Sequence, residues 1–100
     1  MITVNPLEIE GMTFTSICVE LPKTNLLVIT NDIGYIMCGA LDVEVLNNVL
    51  AERQVIAGRA LGVKTIEALL DAPLEKVTES SRDFGWMEGM TVRDALLRIA

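Results

Sequence analysis

Residues 35–60 read Tyr35-Ile36-Met37-Cys38-Gly39-Ala40-Leu41-Asp42-Val43-Glu44-Val45-Leu46-Asn47-Asn48-Val49-Leu50-Ala51-Glu52-Arg53-Gln54-Val55-Ile56-Ala57-Gly58-Arg59-Ala60, and the periodicity changes twice within them. The opening run, 35–40, is apolar without alternation. A strand of that kind is covered on both faces, so it is expected near the centre of a sheet. Asp42 is a good helix N-cap, and Val43, Leu46, Val49 and Leu50 then recur at helical spacing through Arg53. Residues 55–60 return to strand character with one charge, Arg59. A strand–helix–strand passage of this length permits a right-handed parallel crossover.

Working outward, the residues before this stretch read as strands. Ile2 and Val4 alternate with polar neighbours, the pattern slips by one at Pro6, and Leu7 and Ile9 resume it. Pro cannot donate to a ladder, so the slip predicts a bulge or a sheet edge. Glu10-Gly11 is a turn signal before the β-branched run 12–21, which predicts a hairpin. Pro22-Lys23-Thr24-Asn25 breaks that run, a third strand occupies 26–30, and Asn31-Asp32-Ile33-Gly34 forms a second turn.

On the other side, Gly62 ends the fifth strand and Thr65 caps a short helix over 66–70. Pro73 then suits the first turn of a further helix, with Leu74, Val77, Ser81 and Phe84 on one stripe and Gly85 closing it. Thr91-Val92-Arg93-Asp94 resembles a capping box that opens a last helix bearing Leu96, Leu97 and Ile99. The order ββββαβααα, with about five strands in an N-terminal antiparallel or mixed sheet and helices late, is an α+β fold. One domain over residues 1–100 is expected, because so short a chain supports a single core.

Hydrophobic residues make up 51% of the chain, but only 4% are aromatic, and Ile, Leu, Val and Met together number 37. That aliphatic content excludes intrinsic disorder. Eight Lys and Arg against fourteen Asp and Glu leave a net charge of −6, the wrong sign for a nucleic-acid partner. The first fifty residues carry six acids and a single base, Lys23, so the N-terminal half is the acidic one. No histidine is present, which removes every mechanism that rests on imidazole. The longest uncharged apolar stretch, 33–41, has nine residues, where a bilayer-spanning helix needs about 20. No secretory signal opens the chain, and Cys18 and Cys38 stand twenty positions apart without metal-ligand spacing. Free thiols and a cytoplasmic location are expected, with no membrane partner, metal or cofactor.

The hairpin strand presents Met12, Phe14, Ser16 and Cys18 on one face and Thr13, Thr15, Ile17, Val19 and Leu21 on the other. Short late helices cover mainly one side of a small sheet. The surplus of aliphatic side chains on the other side predicts a homo-oligomer built through the N-terminal strands, residues 1–30. The competing account is a monomer with an unusually apolar surface.

The segments 21–25, 31–42 (Asn31-Asp32-Ile33-Gly34-Tyr35-Ile36-Met37-Cys38-Gly39-Ala40-Leu41-Asp42), 57–66 and 69–74 resemble the YunC-like family, a bacterial and archaeal domain of unknown function. The resemblance runs nearly end to end. It implies a small α+β domain whose β-rich N-terminal region mediates tetramerisation. It carries no catalytic residues.

Cys38 closes the central strand just before a helix N-terminus, where a thiolate would find helix amides or Arg59 for stabilisation. A buried Cys also packs as a small hydrophobe, so a structural role competes. Asp42 is either the N-cap or an acid–base group. Arg59, one charge in an apolar strand, pairs with a carboxylate (Asp32 and Asp42 being the candidates) or holds an anionic ligand. Lys23, Asn25 and Asp32 lie in polar loops at strand ends and are ligand-binding candidates, although turn chemistry accounts for Asn25, Asn31 and Asp32 equally well. Gly34 and Gly39 have GxxxxG spacing, but Ala40-Leu41 stands where a P-loop needs Lys-Ser/Thr. Glu67, Asp71 and Glu75 read as a solvated face.

Three functional classes follow. The first is a homo-oligomeric module that binds a small ligand or an unidentified protein partner at a subunit junction. The second is a small enzyme with a shared site, using Cys38 as nucleophile, Arg59 for an anionic group and Asp42 or Asp32 as acid–base. The third is a structural subunit. Nothing in the sequence names a substrate.

Overall fold

The computed structural model describes residues 1–22, 24–39 and 54–100. Six strands form one sheet in the order β1-β2-β3-β4-β5-β6. They are β1 (Ile2–Ile9), β2 (Met12–Leu21), β3 (Thr24–Thr30), β4 (Gly34–Met37), β5 (Ile56–Arg59) and β6 (Lys76–Val77). The first four pair antiparallel, β4 and β5 run parallel, and β6 returns antiparallel to β5. The chain turns from β1 into β2 through Glu10 and Gly11 at φ 49° and 84°, a left-handed pair that gives a hairpin its matching twist. The fold is α+β, and β4 lies inside the sheet as the apolar run 35–40 predicts.

Pro6 marks an edge and not a bulge. β1 is the outermost strand, and its register with β2 runs unbroken from Ile2 opposite Val19 to Ile9 opposite Met12. The apparent slip in the alternation is a change of face. Leu7 and Ile9 turn to the core side, whereas Ile2 and Val4 turn to the other side at 70% and 59% exposure. The core side collects Ile9, Phe14, Leu27, Ile29 and Ile36 with Leu69, Leu70, Leu74, Trp86, Val92, Leu96 and Ile99 from the C-terminal half. The hairpin faces therefore divide as the alternation of β2 requires, with Phe14 and Ser16 buried and Ile17 and Val19 half-buried.

Two helices cap as their sequences predict. In α1 (Ile66–Asp71) the Thr65 hydroxyl accepts from Ala68 N–H, and in α2 (Val92–Leu97) Thr91 accepts from Asp94 N–H. The expected helix over 42–53 lies outside the described residues. The helix expected from Pro73 to Phe84 is replaced by a strand and a 3-10 helix, Glu79–Phe84. Sheet pairing wins there. Ala72, held extended at ψ 149° before the proline, leads into a bridge between Pro73 and Thr91. Glu75 N–H then donates to Arg59, Val77 pairs with Gly58, and Thr78 N–H donates to Ala57. The stripe still marks burial for Leu74, Val77 and Ser81, while Phe84 is 36% exposed. Gly85 ends the 3-10 helix at φ 82°, as its position predicts. Trp86 fills the space beneath, its indole N–H donating to the Ala95 carbonyl at 2.7 Å. Among the described residues no helix is long and apolar enough to cross a membrane.

Candidate functional site

Parallel strands end on the same side of a sheet, and in open α/β sheets the crevice beyond such carboxyl ends is where ligands bind. Beyond β4 and β5 lies a cavity of about 500 Å³, lined by Leu21, Thr24, Asn25, Gly62, Val63 and Lys64. The topology assembles it from two distant segments. Leu21 and Thr24 are register partners across the β2–β3 turn. Gly62, Val63 and Lys64 follow β5, with Gly62 at φ 73°, a conformation that glycine takes without strain. The lining combines two aliphatic side chains with an amide, a hydroxyl and an ammonium. Convergent polar groups beside apolar side chains are what a small-molecule site offers.

Cys38 lies beneath this end of the sheet. Its thiol donates to the Asn25 carbonyl at 3.7 Å, and its sulfur accepts from Leu27 N–H at 3.5 Å. It is 7% exposed and belongs to the core cluster. Both sulfur functions are engaged with backbone, which is how a structural thiol is held. Cys18 is also free and only half-buried.

Arg59 occupies the opposite face of the sheet. It is the register partner of Met37, and it forks onto one Glu75 oxygen, Nη2 at 2.8 Å and Nε at 2.9 Å. Among the described residues its carboxylate partner is Glu75, sixteen residues on, and not Asp32. Strand alternation thus separates Arg59 from Cys38, and one chain does not bring the two together as a catalytic pair.

Asp32 is exposed in the β3–β4 turn, at the end of the sheet away from the cavity. Beside it, Asn31 Oδ1 accepts from Ile33 and Gly34 N–H at 2.9 and 3.1 Å, and Nδ2 donates to the Ile99 carbonyl at 2.8 Å. That turn is a structural joint. Of the four ligand-binding candidates read from the sequence, Asn25 lines the cavity, whereas Arg59 and Asp32 lie elsewhere. Lys23 and Asp42 lie outside the described residues.

The acidic groups are engaged by arginines where partners are within reach. Asp71 meets Arg93 at 3.4 Å, and Arg82 bridges Glu79 and Glu88 at 3.5 and 3.0 Å. The Arg82 hydrogen bond, with help from its own backbone N–H, holds the Glu88 carboxyl below the usual carboxylate range. The same bond pushes the Arg82 guanidinium up. Among the described residues no three of His, Cys, Asp and Glu converge as metal ligands do.

Sequence reasoning missed Leu21, Gly62, Val63 and Lys64 as a group. The signal that could have found them was topological: the residues after a strand in a parallel pair, read together with the turn that ends beside it.

The profile of the domain of unknown function DUF1805 matches residues 37–99. An uncharacterized protein, YunC, from Bacillus subtilis (strain 168) is 56% identical over 99 residues, which cover 99% of this chain and 98% of that protein. The crystal structure of TA1206 from Thermoplasma acidophilum, a protein of unknown function, has 29% sequence identity and a TM-score of 0.88, covering all of this chain and 94% of that one.

Proposed function

This chain belongs to the DUF1805 family, and on that footing we propose that it works as a homo-oligomeric module that binds a small ligand at a junction between its copies. The observation that carries the reading is the side of the sheet turned away from the core. Register places Ile2, Val19 and Leu26 in one row across β1–β3, and Val4, Ile17, Val28 and Met37 in the next. Through β1–β4 these adjacent rows contain no charge, and the second continues into Arg59 of β5; Ile2 and Val4 are exposed, and Ile17, Val19, Leu26, Val28 and Met37 half-buried. A contiguous apolar patch of that kind on a short chain is a contact surface.

The proposed occupant is a second copy of the chain, stacked face to face. Edge-to-edge pairing is disfavoured by Pro6. Met1 and Glu20 exchange hydrogen bonds through their backbones, so the even-numbered residues of β1 turn their backbone groups outward. Pro6 is one of these and has no N–H to offer a neighbouring strand. Four copies, as the YunC-like resemblance implies, are the expected assembly, in the cytoplasm. Leu21 ties the two halves of the proposal together, because it lies on the strand face that carries Ile17 and Val19 and also lines the cavity.

The test is size-exclusion chromatography with light scattering on the wild type and on Val4→Glu with Ile17→Glu. A multiple of the chain mass for the wild type and a smaller particle for the folded variant are expected. A wild-type particle of single-chain mass refutes the reading.

A further inference from the structure

We propose that the cavity beyond β4 and β5 takes a small organic anion, with its charged head at Lys64 and its apolar body between Leu21 and Val63. This deepens the module reading above and rests on it for the identity of the ligand site. The first argument is the state of the lining groups. Among the described residues, the side chains of Thr24, Asn25 and Lys64 have no hydrogen-bond or ion-pair partner, although all three line one cavity. Elsewhere on the described chain, Arg59, Arg82 and Arg93 each hold a carboxylate. Among the described residues Lys64 and Arg98 hold no carboxylate, and of the two Lys64 is the one that lines the cavity.

The second argument is chemical. An ammonium and an amide N–H₂ are donors, and a hydroxyl donates as readily as it accepts. Lys64 repels a cationic ligand and charge-assists a hydrogen bond to a carboxylate or phosphate oxygen. Leu21 and Val63 offer the ligand an apolar contact beside those donors. A volume of about 500 Å³ suits a metabolite-sized molecule and exceeds what a bare inorganic ion fills. The third argument is position. The Asn25 carbonyl accepts from the Cys38 thiol, whose sulfur accepts from Leu27 N–H, and Asn25 lies within β3, so the amide beside the cavity is carried on the sheet.

The experiment is a titration of ¹⁵N-labelled full-length protein, followed by amide shifts. The probes are hexanoate and phenyl phosphate, with hexan-1-ol and hexylammonium as controls, and light scattering is recorded on the same samples. At least one anion should saturably shift the amides of Thr24, Asn25, Gly62, Val63 and Lys64. Whichever of the two binds more tightly identifies the head group as carboxylate or phosphate. Lys64→Gln should weaken that probe about tenfold, and Lys64→Arg should restore most of the affinity. The proposal is overturned if hexan-1-ol or hexylammonium binds as well as the anions, if neither anion moves those amides, or if Lys64→Gln binds like the wild type. An assembled protein that ignores both anions defeats this inference alone. A single-chain particle that binds an anion at these five amides defeats the assembly reading alone.

Discussion

Asn31 offers the sharpest contrast between turn chemistry and long-range structure. If only the turn mattered, Asn31→Asp would be neutral, since both residues accept from backbone N–H two and three positions on. The structure gives the amide a second task, because Nδ2 donates to the Ile99 carbonyl at 2.8 Å across 68 positions of sequence. Asn31→Ala loses all three bonds. The Ile33 N–H is exposed and water replaces it, whereas Gly34 and Ile99 are buried. Two buried partners left short at roughly 1–1.5 kcal/mol each give about 2–3 kcal/mol for Asn31→Ala. Asn31→Asp keeps the acceptor bonds but sets a carboxylate oxygen against a carbonyl oxygen, so a loss of about 1–3 kcal/mol is expected at neutral pH. That loss should shrink as the pH falls through the raised value of the new carboxyl, because the neutral acid regains a donor. Urea unfolding followed by Trp86 fluorescence, at one fixed protein concentration, measures both variants; Cm should fall while m stays constant. An Asn31→Asp protein within about 0.5 kcal/mol of the wild type at pH 7 would refute the cross-link.

Three further outcomes are expected. Gly34→Ala places a Cβ 2.5 Å from the Ile56 carbonyl oxygen and 2.8 Å from Ile56 Cβ, so β4 and β5 must part; a cost of at least about 2 kcal/mol in the same urea assay is expected, and wild-type stability would contradict the parallel pairing. Glu88, its carboxyl held down by Arg82, lends stability that is present above its unfolded value and lost as the pH falls through the folded one. Glu88→Gln should therefore lower Tm slightly at pH 7, with the difference closing in acid; a gap that widens in acid would contradict the assignment. In iodoacetamide labelling with mass-spectrometric readout, native Cys18 should react and native Cys38 should lag far behind its rate in urea. Equal native and denatured rates at Cys38 would favour the nucleophile over the structural thiol.

The sheet was legible because its first strands obey period-two alternation, and the caps because Thr65 and Thr91 stand before helical spacing with a free N–H to accept. Residues 73–84 were not. Leu74, Val77 and Ser81 face the core at intervals that a helix would also give, and what decides against the helix is the pairing of Val77 with Gly58, a contact that no local pattern encodes. At Pro6 the sequence left a bulge and an edge open, since a change of face and a bulge leave the same mark on a string of residues; the strand order decides for the edge. At the site, Asn25 was visible as a polar loop residue. Lys64 was not, because its meeting with Asn25 depends on the order of strands. Glu75, a carboxylate partner of Arg59 that the sequence reading did not name, comes from the residue before β6, on the far side of α1.

The proposed assembly and the proposed ligand site meet at Leu21, so a chain that stays single would separate them. The most direct measurement is the equilibrium sedimentation mass of the full chain across a wide concentration range. Particles of about four times the 10.9 kDa chain mass are expected. A mass of one chain at every concentration would contradict the claim that a second copy covers the rows Ile2–Val19–Leu26 and Val4–Ile17–Val28.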